Sequence, residues 1–123
     1  MMRNLFIPTV VLLTASLIVP AWAQSAVEAN RAAEAYKTCM AAPVADYALR
    51  TGTPEQLAKQ IARLCADEEA ALSAAYVAAF FPDHTKSEAK DLAKLYVDQI
   101  TAGNLETVRL DITRLRVETE NAR

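Results

Sequence analysis

The fold is decided by residues 39–65, which read CMAAPVADYALRTGTPEQLAKQIARLC. The stretch begins and ends with a cysteine, and Gly52 lies at its midpoint. A glycine suits the left-handed position that ends a helix, while the following Thr-Pro pair suits the N-cap and the first turn of the next helix. The stretch therefore predicts two antiparallel helices that turn at Gly52 and are joined by a disulfide between Cys39 and Cys65.

Outward from this turn, helical periodicity predicts one helix over residues 26–50 and a second over residues 54–81. Pro43 lies inside the first helix, where it predicts a kink or a short break. The apolar stripe of the second helix comprises Leu57, Ile61, Leu64, Cys65, Leu72, Tyr76 and Phe80. Residues equidistant from Gly52 face each other in such a hairpin, so the two cysteines lie at the same level.

The second half of the chain predicts two shorter helices, over residues 86–102 and 105–119. Gly103 suits the residue after a helix, and Asn104 suits the N-cap of the next. The alternative is one long helix through Gly103, because glycine in a helix costs only about 1 kcal/mol relative to alanine. The hairpin is favoured, and the fold class is all-α: a small helical bundle of two helical hairpins.

The N-terminus has the pattern of a signal peptide. Arg3 precedes an apolar run, and Ala21-Trp22-Ala23 is a small-x-small motif, so we expect cleavage of residues 1–23 and a single helical domain over residues 24–123. The alternative is an uncleaved anchor, since the run is nearly long enough to cross a bilayer. Cleavage predicts export, to the periplasm if the source is bacterial and otherwise by secretion, with no stable membrane anchor.

Two cysteines in an exported chain favour a structural disulfide, because the destination is oxidising. Their spacing is not a redox or haem-attachment motif. Zinc needs more ligands than the sequence marks, because His84 is the only histidine. We therefore predict no metal and no cofactor.

The formal charge of −2 is mildly acidic, which argues against nucleic acid as a partner. The arginines of the last predicted helix, Arg109, Arg114 and Arg116, alternate with acidic residues and predict a solvated face of mixed charge. The sequence does not indicate an oligomeric state.

Glu68 is the charged residue that stands out, because it follows Cys65 by one helical turn and lies opposite Tyr36 across the hairpin. The pair predicts a buried polar contact in which the tyrosine hydroxyl donates to the carboxylate. A lone carboxylate cannot easily run acid–base chemistry, so no catalytic residue is predicted.

The end of the long hairpin carries Tyr76, Phe80 and Phe81 opposite a first helix that is rich in alanine. These three residues are a candidate partner surface if they are uncovered. The alternative is that they pack beneath the connection at Pro82.

The sequence therefore predicts a small exported helical protein that is not an enzyme and has a protein-binding or structural role, with another exported protein as partner. The alternative is a small metal-binding or ligand-binding protein, or an enzyme, that uses Glu68 or His84.

Overall fold

The computed structural model describes residues 21–123, which form five α-helices and one 3-10 turn. The helices are α1 (Ala21–Ala41), α2 (Val44–Ala48), α3 (Pro54–Leu64), α4 (Ala66–Phe80) and α5 (Lys86–Asn121), and the 3-10 turn is Phe81–Asp83. No strand occurs in this part of the chain, and the all-α prediction is confirmed. Of the predicted signal peptide, residues 1–20 lie outside the described residues.

The helices line up as three antiparallel rods. The first rod is α1 followed by α2, the second is α3 followed by α4, and the third is α5 alone. The second rod contacts both of the others along its length, with α4 packed on α1 and α5, and α3 packed on α2 and α5. The result is a bundle in which each rod covers part of the apolar face of the other two.

The predicted hairpin about Gly52 is confirmed. Gly52 has a positive φ of 130°, which a glycine adopts without the steric cost that a Cβ would add. Thr53 and Gln56 form a capping box at the start of α3, each side chain bonding the other's backbone N–H. The Cys39–Cys65 disulfide joins the two rods with a Cα–Cα distance of 5.9 Å.

Each of the first two rods is interrupted. The first is broken near Pro43, as the sequence predicts, between the end of α1 and the start of α2. The second is broken at Cys65, which ends α3 and begins α4, so the prediction of one helix over residues 54–81 is wrong. Leu64, predicted to lie on the apolar stripe, is 59% exposed. That prediction is wrong because α3 ends at Leu64, so the stripe of Leu57 and Ile61 is not continued by a regular helix through this residue.

The predicted hairpin about Gly103 is also wrong, because α5 is one helix of 36 residues that passes through Gly103. Asn104 does not cap a helix; its side-chain amide donates to the Ile100 carbonyl in the preceding turn. A 36-residue helix is about 54 Å long, enough to lie along the whole of the second rod.

The continuous face of α5 explains why the chain does not fold back. Its buried residues are Ala89, Ala93, Val97, Val108 and Ile112, which follow one helical stripe on both sides of Gly103. The first part of α5 covers α4, and the later part covers α3 and α2. A turn at Gly103 would remove that later cover, which outweighs the small cost of a glycine inside the helix.

Within residues 21–123, no helix combines the length and the apolar character that a membrane span needs.

Candidate functional site

An aromatic cluster lies where α4 passes the first part of α5. The Tyr76 ring stacks on Phe80 at a centroid distance of 6.2 Å and on Tyr96 at 5.6 Å, and Phe80 and Tyr96 are 5.3 Å apart. Tyr76 and Phe80 are half-buried, whereas Tyr96 is 46% exposed. The helical periodicity of residues 86–102 predicts Tyr96 on the buried face of its helix, and that prediction is wrong because Tyr96 lies exposed at this cluster.

Phe81, the third member of the predicted partner surface, does not pack beneath the connection at Pro82. It begins the 3-10 turn after α4, and 55% of it is exposed. Phe81 lies at one end of an exposed stripe on the outer side of α4, which consists of the apolar or small side chains of Ala70, Ser73, Ala74, Val77 and Ala78. The structure thus joins Phe81 to an apolar helix face that the sequence did not indicate.

This stripe borders a shallow cleft of about 600 Å³ between α4 and α5, and we call the stripe and the cleft together the α4 groove. Val97 is on the α5 wall, where Lys90 and Lys94 border the cleft. Lys94 donates to Asp98 at 2.8 Å, and this hydrogen bond, with the carboxylate charge, raises the pKa of Lys94. Lys90 forms no ion pair within the described residues, so its ammonium is free to meet an acidic group.

The predicted buried pair of Tyr36 and Glu68 is not formed. Tyr36 is 1% exposed, but Glu68 is only half-buried, and no hydrogen bond joins the two in the described part of the chain. Burial, and then the negative charge of Glu69, raise the pKa of Tyr36. The antiparallel pairing about Gly52 places Tyr36 level with the start of α4, as predicted. The carboxylate that raises its pKa is the next one along α4, that of Glu69.

Glu68 lies beside the disulfide. A carboxylate oxygen of Glu68 and the two sulfur atoms of Cys39 and Cys65 are all within 4.8 Å of one another. Cys65 is fully buried, whereas Cys39 and Glu68 are half-buried at the edge of the bundle. The spacing from Cys65 identified Glu68 in the sequence, but the predicted hydrogen-bond partner, Tyr36, is not the group beside it.

His84 is far from Glu68, so the two residues named in the alternative function do not share a site. His84 follows the 3-10 turn, where its ring meets the edge of Phe80 at 6.1 Å and its Nδ1 lies 3.4 Å from a Glu88 carboxylate oxygen. Glu68 is in the first turn of α4, and the 15 residues of that helix extend about 22 Å.

Two of the three arginines of α5 fit the predicted solvated face, and the third does not. Arg109 pairs with Glu106, and Arg114 pairs with Glu118, each within the helix. Arg116 instead donates three hydrogen bonds, of 2.7 to 3.1 Å, to the backbone carbonyls of Ala48, the last residue of α2, and of Arg50 and Gly52 in the loop that follows. No spacing in the sequence indicates this contact, because its partners are 64 to 68 residues away.

No charged residue within residues 21–123 is buried, and the ion pairs of this part of the chain join residues three or four positions apart in the sequence. Comparison of the chain with protein-family models, with curated proteins and with solved structures gives no match.

Proposed function

We propose that this protein is an exported, non-enzymatic factor that binds another exported protein through Phe81 and the α4 groove. The observation that carries the proposal is the exposure of Phe81 at the end of the apolar stripe on α4. A large exposed aromatic beside an apolar surface is a typical anchor of a protein interface, because burying it on binding releases water from both partners.

The fold holds this surface in place before any partner arrives. The 3-10 turn that carries Phe81 follows α4 directly, and the stacked rings of Tyr76, Phe80 and Tyr96 support that end of the helix. An aromatic side chain has few rotatable bonds, so little conformational entropy is lost when it is buried. A rigid surface of this kind favours recognition of a preformed partner.

The surface favours an amphipathic helix that carries an acidic residue near Lys90. The stripe follows the axis of α4, and its small side chains, such as Ala70 and Ala74, allow a second helix to approach closely. The cleft beside it is lined by Lys90 and Lys94 and also by Glu69 and Asp98, and Lys94 is already paired with Asp98. A partner helix would place its apolar residues over α4 and a carboxylate beside Lys90.

Export and a non-enzymatic role complete the proposal. The disulfide is compatible with an oxidising compartment, and the predicted signal peptide directs the chain there: the periplasm if the source is bacterial, otherwise the outside of the cell. A binding role is supported by the charged side chains of residues 24–123, which lie at exposed or half-exposed positions and not in a buried constellation.

The test is site-specific capture from the native exported fraction. A photo-crosslinking residue is placed at Ala74, inside the groove, and at Ala71, which is exposed on the same helix but does not line it. We expect one protein to be crosslinked from position 74 and not from position 71. Phe81→Ser should abolish that crosslink, because it removes the anchor.

Leu110→Ser is the matched control, since Leu110 is 51% exposed on α5 and does not line the groove. It should leave the crosslink unchanged. Equal crosslinking from positions 71 and 74, or loss of the crosslink in both serine variants, would contradict binding through the groove. Copurification of a small ligand or a metal with no protein partner would contradict the protein-binding role itself.

A further inference from the structure

The apolar stripe on α4 carries a large side chain at one end and a small one at the other. Phe81 continues the helical path of α4 and is 55% exposed, and Ala70 lies about three turns before it on the same face. When two copies of α4 pack side by side in opposite directions about the middle of the stripe, the ring of Phe81 in each copy lies over Ala70 of the other. The large side chain of one copy thus meets a position where the other copy has only a methyl group.

The middle of the stripe also suits contact between two copies. In the same antiparallel arrangement, Ala74 lies level with Val77 of the second copy, and Ser73 lies level with Ala78. No level of the stripe brings two large side chains together, and small side chains at a contact allow two helix axes to approach closely. The stripe is therefore complementary in shape to itself.

The charges along the cleft between α4 and α5 follow the same two-fold symmetry. Since α4 and α5 run in opposite directions, Glu69 and Asp98 border the end of the cleft nearer the start of α4, whereas Lys90 borders the end nearer its last turn. An antiparallel second copy brings the basic end of each cleft against the acidic end of the other. Lys94, midway between Lys90 and Asp98 on α5, is neutralised by its own hydrogen bond of 2.8 Å to Asp98. The surface is therefore complementary to itself in charge as well as in shape.

We infer that a second copy of this chain occupies the α4 groove in the free protein, in a symmetric antiparallel dimer that the partner displaces. The second copy meets both requirements of the partner helix, because its α4 supplies an apolar face and its Asp98 supplies a carboxylate for Lys90. The inference rests on the proposed function for the identity of the surface, and it adds what covers that surface between encounters. The two occupants exclude each other because they bury the same Phe81.

The size of the contact makes this dimer a reversible one. The stripe is about 17 Å long and one helix, or about 10 Å, wide, which is well short of the roughly 800 Å² per partner of a standard stable interface. We therefore expect a dissociation constant of tens of micromolar, about the strength of a transient contact. A dimer of that strength gives way to a partner that buries more surface.

The first experiment is sedimentation equilibrium of the purified exported protein alone, from about 1 µM to about 1 mM, a range that spans the expected dissociation constant. We expect monomer at the low end and dimer at the high end. Phe81→Ser should weaken the dimer about tenfold or more, because it removes the central anchor of each half of the contact. Leu110→Ser is the matched control, since Leu110 is similarly exposed but lies outside the groove, and it should leave the dissociation constant unchanged.

The second experiment reverses the charges one at a time. Lys90→Glu places two carboxylates together at each end of the dimer, and Asp98→Lys places two ammonium groups together there, so each variant alone should dimerise about tenfold more weakly than the wild type. An equimolar mixture of the two variants pairs opposite charges at both ends, and it should regain the wild-type affinity. Lys59→Glu makes the same change of charge at an exposed residue of α3 outside the groove, and it should dimerise like the wild type.

These variants change exposed side chains, and their helical circular dichroism should match that of the wild type. A protein that stays monomeric up to about 1 mM would overturn the inference and leave the groove to a different partner. Dimerisation of each charge variant alone with wild-type affinity, or a mixture that does not reassociate, would overturn it as well.

The outcomes separate this inference from the proposed function. The sedimentation samples contain no partner, so a failure to dimerise leaves capture from the exported fraction to decide whether the groove binds another protein. A crosslink from position 74 that joins two copies of this chain has twice the mass of the chain, and finding that product alone would support the dimer while it contradicts the proposed partner.

Discussion

The guanidinium of Arg116 donates a hydrogen bond of 2.7 Å to the carbonyl oxygen of Gly52, although 64 residues separate the two. The same guanidinium also donates to the carbonyls of Arg50, at 2.7 Å, and Ala48, at 3.1 Å. The guanidinium holds its donors in a fixed planar fork, so that Nε, Nη1 and Nη2 each donate to a different carbonyl, whereas the three donors of an ammonium group all start from one nitrogen. One side chain of α5 thereby fixes the turn that reverses the first two rods.

Arg116→Met should lower the free energy of unfolding by about 1–2 kcal/mol. Methionine keeps much of the apolar stem but removes all three donors, and the carbonyls at residues 50 and 52 are near enough to solvent to be partly rehydrated. Denaturant unfolding measures the change, and hydrogen exchange of residues 49–53 should increase.

Arg114→Met is the control for that variant, because Arg114 is exposed on the same helix and pairs only with residues of its own helix. It should cost less than about 0.5 kcal/mol. If Arg114→Met destabilises the protein as much as Arg116→Met, the contacts with the loop are not what makes Arg116 important.

The two glycines should respond to alanine with opposite signs. Gly103 lies inside α5, and a Cβ added there meets no atom within 4 Å, so Gly103→Ala should stabilise the protein by about 0.5–1 kcal/mol. Gly52 has a φ of 130°, which strains a residue with a Cβ, so Gly52→Ala should destabilise it by about 1 kcal/mol or more. Thermal unfolding of the two variants measures both changes.

This pair of variants also separates the two architectures that the sequence allows. If the chain turned at Gly103, that residue would need the left-handed conformation that a helix-ending glycine adopts, and alanine would destabilise it. A loss of stability in Gly103→Ala would therefore argue for the hairpin and against one continuous α5.

The difference between the two halves of the fold shows what the sequence could predict. The first hairpin was predictable because Gly52, Thr53 and Pro54 act locally and the two cysteines constrain the same turn. The path of α5 was not, because the signals at Gly103 and Asn104 are just as compatible with a turn. The choice is made by distant apolar faces on α2 and α3, which residues 86–121 cover only when they form one helix.

Leu72 and Leu64 test the packing of the second rod. Leu72 is fully buried, so Leu72→Ala should cost about 2–5 kcal/mol through lost burial and the cavity that it leaves. Leu64 is 59% exposed, and Leu64→Ala should change stability by less than about 1 kcal/mol. Denaturant unfolding measures both effects. The midpoint concentration should shift, while the slope of the free energy of unfolding against denaturant concentration should stay unchanged. Similar losses in the two variants would mean that Leu64 is buried, as the sequence stripe predicts.

The candidate partner surface was predictable only in part. Phe80 and Phe81 are recognisable because they end a helix just before a proline. Tyr96 and Lys90 belong to the same region, but their positions depend on how α5 is rotated about its own axis. That rotation is fixed by contacts along the whole of α5. The apolar stripe of the shorter predicted helix, over residues 86–102, therefore places Tyr96 on the buried face when it is in fact exposed.

Stability should fall in alkaline solution because of Tyr36. Burial and the charge of Glu69 raise the pKa of Tyr36 above its ordinary value of 10.0. Above pH 10, the unfolded chain loses this proton while the folded protein retains it, so the unfolded state binds fewer protons and stability falls as pH rises. Denaturant unfolding between pH 8 and pH 11 should show the loss, and Tyr36→Phe should reduce it. Tyr96→Phe, at a side chain that is nearly half exposed, should keep the wild-type dependence. An unchanged slope in Tyr36→Phe would show that the hydroxyl of Tyr36 is not the group that resists ionisation.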